Sequence, residues 1–443
     1  MTGADPGGEN RAERGHQPAA AGGLWCATVE LSGEQAMDAP LPWSGQPRAR
    51  VLVRLHGDPL GYLTVDTGPG GVVAATVAEE AAGRYADRIA AHLGEEGIPE
   101  SPGGVLPGPR PGCPSLVPSD ATVTVVVCTR DRPMELAACL ERLRALTHPH
   151  LEIVVVDNAP SDDSTRVLVE RVAAADPRFR YVLEPRPGLA RARNRGLAEA
   201  RGEFLAYTDD DVAVDPGWVQ GLLRGFRRPG VACVTGLVST AAIGTAAEEY
   251  FDARAASWST RTDPELFDLG AHRRSDVLYP YSPGIYGTGA NFAFDRAFLE
   301  QLGGFDEALG AGTLTRGGED LDVFVRVLRA GRAIAYEPSA LLWHHHRADG
   351  DALMSQLYGY GTGLSAFLTK CLLQRGTRGE LLRRVPSGLR RMAVIRRQTT
   401  DRVGESSLAF ADAPAPTRAL VQEARGLVTG PLLYLRARRA VRA

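Results

Sequence analysis

Three consecutive acids, Asp209, Asp210 and Asp211, close the apolar run Phe204 to Thr208. Carboxylates packed that tightly repel one another, so the cluster is stable only where a cation or water offsets the charge. A further acid, Asp157, ends the apolar run Ile153 to Val156. Taken alone, it is a turn or cap aspartate. A third acidic group, Glu319 and Asp320, opens a helical pattern with apolar Leu321, Val325 and Leu328. The helix dipole favours acids in a first turn, so capping is the plainest reading of that pair on its own. Carboxylates of this kind become a cation site only if the fold gathers them, which turns the question to the elements around them.

Those elements alternate. Val123 to Cys128 is continuously apolar and is followed by Asp131 as a helix N-cap, Pro133 in the first turn, and Leu136, Leu140 and Leu143 at helical spacing. A run at Phe179 to Leu183 leads into a helical stretch at Leu189 to Ala200. Strands that are apolar throughout, instead of alternating, belong to a parallel sheet covered on both faces by helices. The predicted class is α/β, and Asp157 and the Asp209 to Asp211 cluster then share the carboxyl-end rim, where open α/β sheets bind ligands.

The ordered motifs Val125-Val126-Val127-Cys128-Thr129-Arg130-Asp131-Arg132, Val154-Val155-Val156-Asp157-Asn158, Gly188-Leu189-Ala190-Arg191-Ala192-Arg193-Asn194, the triple aspartate, Gly303-Gly304-Phe305-Asp306 and Gly318-Glu319-Asp320-Leu321-Asp322 point further. Together they make residues 121 to about 346 resemble the family 2 glycosyltransferases of GT-A fold. That resemblance implies a nucleotide-binding, mostly parallel sheet flanked by helices and an inverting, metal-dependent transfer from a nucleotide-sugar donor to an acceptor hydroxyl. It implies nucleotide-sugar contacts at Thr129, Arg130, Asp157, Arg193, Asp209 and Asp210. Mg²⁺ or Mn²⁺ would sit on Asp209, Asp211 and His344, with His345 as the next candidate in Trp343-His344-His345-His346. Asp320 matches the family's general base, beside Glu319. Arg193 reads equally as part of a solvated helix face with Arg191 and Arg195, and Asp322 with Arg326 as a surface pair. A phosphatase-like use of the aspartates would want a threonine soon after the second acid, and Val212 to Pro216 contain none. A noncatalytic carbohydrate- or nucleotide-binding protein that kept the fold is the alternative.

The 443 residues divide unevenly around this region. Residues 1–23 are polar and read as a disordered tail without the apolar core of a secretory signal. Residues 24–95 read as a small α+β module, with strands at Arg50 to Leu55 and Leu63 to Asp66 and a helix at Ala75 to Leu93. Residues 96–120 hold seven prolines and five glycines and read as a stiff linker. Residues 121–350 form the expected catalytic domain and 351–443 a basic helical region, its helix interrupted by Gly359, Gly361 and Gly363. That last region has sixteen basic against six acidic residues, which leaves about −13 of the net −3 charge to the first 350. Its arginine pairs at 383 and 384, 390 and 391, and 396 and 397 suit peripheral contact with an anionic membrane or a solvated helix face; no nucleic-acid module is recognisable. The six cysteines lack the spacing of a zinc or redox motif, and no run of about 18 apolar residues occurs. The expected location is cytoplasmic, peripheral on the inner membrane face if the basic region binds there. Seven aromatics between Tyr250 and Tyr286 could form an acceptor platform or ordinary core. The acceptor class, whether glycan, lipid-linked or small molecule, is not encoded in any of these motifs.

Overall fold

The computed structural model describes residues 23–35, 37–98, 106–116, 119–282, 284–405 and 416–442. The tail expected over 1–23 lies, up to residue 22, outside the described residues, as do parts of the 96–120 stretch. At the N-terminal side β1 (Leu24–Glu30), β2 (Met37–Asp38), β3 (Arg48–Leu55) and β4 (Asp58–Asp66) precede α1 (Ala74–Arg84) and α2 (Ala86–Glu95). The helix expected over 75–93 is thus two helices. They break at Tyr85, whose φ of −112° and ψ of 21° leave the helical region while its hydroxyl donates to the Tyr62 carbonyl at 2.8 Å.

The apolar runs that follow become a wide sheet. Its strands are β5 (Val123–Thr129), β6 (Leu151–Asn158), β7 (Phe179–Glu184), β8 (Phe204–Asp209), β9 (Val212–Val214) and β10 (Val231–Thr240), then, after a short β11 (Ala242–Ile243), β12 (Glu265–Phe267), β13 (Asn291–Asp295) and β14 (Ala333–His344). The order is β12-β14-β10-β13-β8-β5-β6-β7, with β9 on β14. Pairing is parallel from β7 through β8 and again between β10 and β14, and antiparallel where β13 enters between β8 and β10. Helices α3 (Pro133–Arg144), α4 (Ser164–Ala175), α5 (Leu189–Glu199), α6 (Trp218–Phe226), α7 (Ala246–Ser259), α8 (Arg296–Leu302) and α9 (Glu319–Arg329) cover it. Val125, Val127, Ile153 and Val155 pack toward one helical layer with Leu136 and Leu140, and Val126, Val154 and Val156 toward the other with Ala190 and Leu197. Burial on both faces is why these strands are apolar without alternation, as the α/β reading requires. Proline starts α3 as expected, but the N-cap is Arg132; Asp131 sits at φ 54° and instead accepts hydrogen bonds from the Ser161 backbone and hydroxyl at 2.7 and 2.9 Å.

The leading strands form a separate sheet with β11 and are tied by ion pairs to the elements around the large one. β1 pairs with β11, Arg50 forms a bidentate pair with Asp252, and Arg54 and Arg224 pair with Asp215 and Asp58. Leu106 and Cys113, from the stretch expected to be a linker, pack against the small module, where Leu106 bridges Ser32.

Beyond β14 come α10 (Gly350–Leu373), α11 (Arg375–Glu405) and α12 (Pro416–Arg442), none of them long and apolar enough to cross a membrane. Gly359, Gly361 and Gly363 do not interrupt α10; they are its contact surface. A methyl on Gly361 would meet the Leu427 backbone nitrogen at 3.0 Å, and one on Gly426 that of Thr362 at 2.7 Å, so α10 and α12 touch backbone to backbone. On its other side Gly363 abuts the Gly317-Gly318 turn before α9, where a Cβ would stand 2.7 Å from the Gly317 carbonyl carbon. The chain's single lysine, Lys370, fastens the same helix, its ammonium lying 2.8 Å from Asp306 and 2.7 Å from Asp322. Asp322 is therefore no surface residue: it is buried and also accepts from Arg326 at 2.8 Å. Replacing Lys370 with methionine leaves two acids short of a cation, and breaking a buried pair in this way costs about 3–5 kcal/mol. Urea unfolding of Lys370→Met is expected to show a midpoint lowered accordingly, with Lys370→Arg losing less.

Candidate active site

The sheet's order reverses at β5, which has β6 and β7 on one side and β8 on the other, and the crevice at such a reversal lies outside the strands' carboxyl ends. Register fixes what meets there. Thr129 is level with Asp157, and Cys128 with Asp209, so the acids that end β6 and β8 flank the end of β5. β9 then runs back along β14 with Val212 opposite His344, which brings Asp211 and that histidine together: Asp211 Oδ1 lies 3.3 Å from His344 Nε2.

Asp209, Asp211 and His344 offer donor atoms all within 4.8 Å of one another. Two carboxylates and an imidazole fit a divalent ion such as Mg²⁺ or Mn²⁺, more readily Mn²⁺ because of the nitrogen. Of the other histidines, His345 donates its backbone N–H to the Asp211 carbonyl at 3.2 Å. His346 turns away, its Nε2 3.1 Å from the Thr240 hydroxyl and its ring against Phe251, and burial drives its pKa down to about 3.

Asp210 points inward. It accepts from the Thr129 hydroxyl at 2.7 Å and from Arg132, which also donates to Asp211 at 3.0 Å. Asp210 and Thr129 are consequently buried in a hydrogen-bonded knot under the crevice, whereas Arg130 stays about half exposed at its edge. The sequence reading gives Arg132 no role; its place directly after β5, at the rim expected to carry the triple aspartate, is the available signal.

Arg193 is not on a solvated face. Only 2% exposed, it donates to Glu319 Oε1 at 2.8 Å and to the Gly289 carbonyl at 2.9 Å, and its guanidinium lies 3.8 Å from Asp209 and over the Phe292 ring at 5.0 Å. One cation thus connects the end of β8 to the start of α9. Glu319 is buried against it, with its second oxygen unpartnered. Asp320 is less buried. Its carboxylate accepts from the Gly289 N–H at 3.2 Å and from the Leu321 N–H at 2.8 Å, in the first turn of α9 behind Gly318, whose φ is 93°.

Desolvation governs the charges. It raises Asp209 to about 6 and Asp210 and Glu319 to about 7, against the opposing pull of Arg193 and Arg132. Asp211 is equally buried, but His344, Arg132 and Arg347 outweigh that and hold it below the usual carboxylate range. Asp157 is buried with no cation beside it; Tyr181 donates to one oxygen at 3.0 Å, the other has no partner, and burial lifts it to about 6. The aromatic run proves to be mostly core: Phe251, Phe267, Tyr279, Tyr281 and Tyr286 are all buried and so offer no platform.

Comparison with known proteins locates the homology in the same region. The profile of Glycosyl transferase family 2 matches residues 124–303. The pre-mycofactocin glycosyltransferase of Mycobacterium tuberculosis is 32% identical over 239 residues, 53% of this chain and 45% of that protein. The succinoglycan biosynthesis protein ExoM of Rhizobium meliloti is 32% identical over 228 residues, 50% of this chain and 66% of its own. The chain spans about half the length of the first of these relatives. Among solved structures, a mannosyltransferase from Pyrobaculum calidifontis in complex with GDP-Man and Mn²⁺ aligns over 72% of this chain and 86% of its own with a TM-score of 0.44 and 20% identity. Glu319, Asp320 and His344 lie beyond the end of the profile match.

The uncompensated acid Asp157 sets a pH dependence. Its folded pKa lies above the unfolded value, so its contribution to stability is complete at pH below about 4 and is lost as pH rises through about 6. Asp157→Asn removes that loss. Urea midpoints of the variant are expected to exceed those of the parent at pH 8 by more than at pH 5; a constant offset would show that Asp157 is not the group responsible.

Proposed function

We propose, from the premise that residues 124–303 are a glycosyl transferase family 2 domain, that the protein transfers a sugar from a nucleotide-sugar donor to an acceptor hydroxyl with inversion. The observation that carries this reading is the Arg193 bridge, which links Asp209 at the end of β8 to Glu319 at the start of α9. A diphosphate leaving group and an attacking hydroxyl need a cation site and a base within one sugar's width of each other. Asp157, with an unpartnered buried oxygen at the strand end, is suited to a hydroxyl or base N–H of the nucleoside. Arg130 at the crevice edge is placed for phosphate. Asp209, Asp211 and His344 would hold Mg²⁺ or Mn²⁺, which when bound neutralises the charge that grows on the departing diphosphate.

Asp320 is the general base in this reading. Two backbone N–H groups fix its orientation at the start of α9, so it can accept the proton of the acceptor hydroxyl as that oxygen attacks. Glu319 acts through Arg193 and is a positioning residue. The relatives named for pre-mycofactocin glycosylation and succinoglycan biosynthesis support a role in assembling a polysaccharide, lipid-linked or small-molecule glycan.

Two measurements test this. Thermal shifts with a panel of nucleotide sugars and Mn²⁺ are expected to single out one donor, and Asp211→Asn is expected to abolish the metal-dependent part of that shift. With that donor, Asp320→Asn is expected to lower kcat by about 10²–10⁴-fold while leaving the shift intact. Unchanged turnover in Asp320→Asn would remove it from the mechanism, and binding without any turnover in the parent would favour a noncatalytic nucleotide-sugar-binding protein.

A further inference from the structure

Far from the acidic rim in sequence, the β3–β4 turn, the end of α2 and the 106–116 stretch bring His56, His92, Glu96 and Cys113 to one point. The side chains of His56 and Glu96 have no solvent exposure and that of His92 has 8%. Outer partners fix the tautomers. His56 Nε2 faces the Pro107 carbonyl at 2.8 Å, which can only accept, so the ring proton is there and Nδ1 presents a lone pair inward. His92 Nδ1 faces the Asp58 carboxylate at 3.4 Å, which likewise leaves Nε2 as an inward lone pair. These two nitrogens lie 3.1 Å apart, and Glu96 Oε1 is 2.6 and 3.1 Å from them. With both rings neutral, three acceptors converge here with no donor among them except the Cys113 thiol, 3.5 and 3.6 Å from the two nitrogens. Such an arrangement is repulsive unless a cation occupies its centre.

The spacing matches one cation class. Zn²⁺ binds nitrogen at about 2.0–2.1 Å and thiolate at about 2.3 Å, which puts the nitrogen–sulfur edges of a tetrahedron at about 3.5–3.6 Å and the nitrogen–nitrogen edge at about 3.3 Å. The sulfur edges agree, the nitrogen edge is 3.1 Å, and the two nitrogen–oxygen edges, 2.6 and 3.1 Å against about 3.3 Å for the tetrahedron, lengthen as the ion enters. Each donor also has the outer partner expected of a metal ligand: Pro107 and Asp58 for the imidazoles, the Arg110 N–H at 2.9 Å for Glu96 Oε2, and the Ser115 hydroxyl at 2.8 Å for the sulfur.

We propose that His56 Nδ1, His92 Nε2, Glu96 Oε1 and Cys113 Sγ bind one structural Zn²⁺. The thiol proton goes to solvent as the thiolate binds, and the four protein donors leave no open position for a substrate. The ion ties the 106–116 stretch to the α+β module, and Asp58, shared between His92 and Arg224, continues the connection to α6 of the large sheet.

Metal quantitation on the full-length protein, grown with zinc and then desalted, is the test. It is expected to give about one zinc per chain, lost in Cys113→Ser and in His56→Ala and kept in Asp211→Asn. Cobalt-substituted parent protein is expected to show thiolate-to-Co²⁺ charge-transfer absorption that Cys113→Ser lacks. If the variants do not fold, the parent's stoichiometry and cobalt spectrum decide alone. Parent protein that takes up no zinc from ZnCl₂, holds a different metal stoichiometrically, or shows no thiolate–cobalt absorption overturns the assignment, as does zinc that survives Cys113→Ser.

Discussion

Like charge crowded onto one rim of a low-dielectric sheet is the constraint around which this protein is arranged. Three buried or half-buried cations meet it, each shared by two acids. Arg193 serves Asp209 and Glu319, Arg132 serves Asp210 and Asp211, and Lys370 serves Asp306 and Asp322. In every case the cation comes from an element other than those carrying the acids, so cancelling the repulsion also fixes how the elements sit. The compensation is incomplete at Asp209, Asp210 and Glu319, whose pKa values stay raised, so the rim still lacks positive charge.

The C-terminal helices are part of the same arrangement. Lys370 reaches two of the acids from α10, and Gly363 of that helix lies against the turn that launches α9. Close contact of backbones leaves no slack for the turn to drift, so Glu319 and Asp320 are positioned from behind as well as by Arg193.

Much of this was legible in the sequence. Continuous apolar runs gave the parallel strands because burial on two faces leaves no reason to alternate, and the acids that end those runs were bound to share a rim once the strands were parallel. Of the three histidines, it is the His344 side chain that the β9–β14 register brings to Asp211. What escaped were properties of side chains meeting across long sequence distances. Arg193 reads as readily as part of a solvated face because arginines surround it, Asp322 as half of a surface pair, and the aromatics between 250 and 286 as platform or core alike. The glycines of α10 were read by their intrinsic dislike of helices, which tertiary contact overrides. Cys113, in a stretch dominated by proline and glycine, showed no spacing partner because its companions come from a turn and a helix end.

The contact between Gly363 and Gly317 carries an evolutionary corollary. Bare backbone on both sides means that neither position can acquire a side chain independently, so the turn before α9 and the helix α10, both past the end of the family match, are under a joint restriction. Chimeras that exchange the C-terminal helices between relatives inherit it: a graft succeeds only when the glycines on both sides of the seam come from compatible parents.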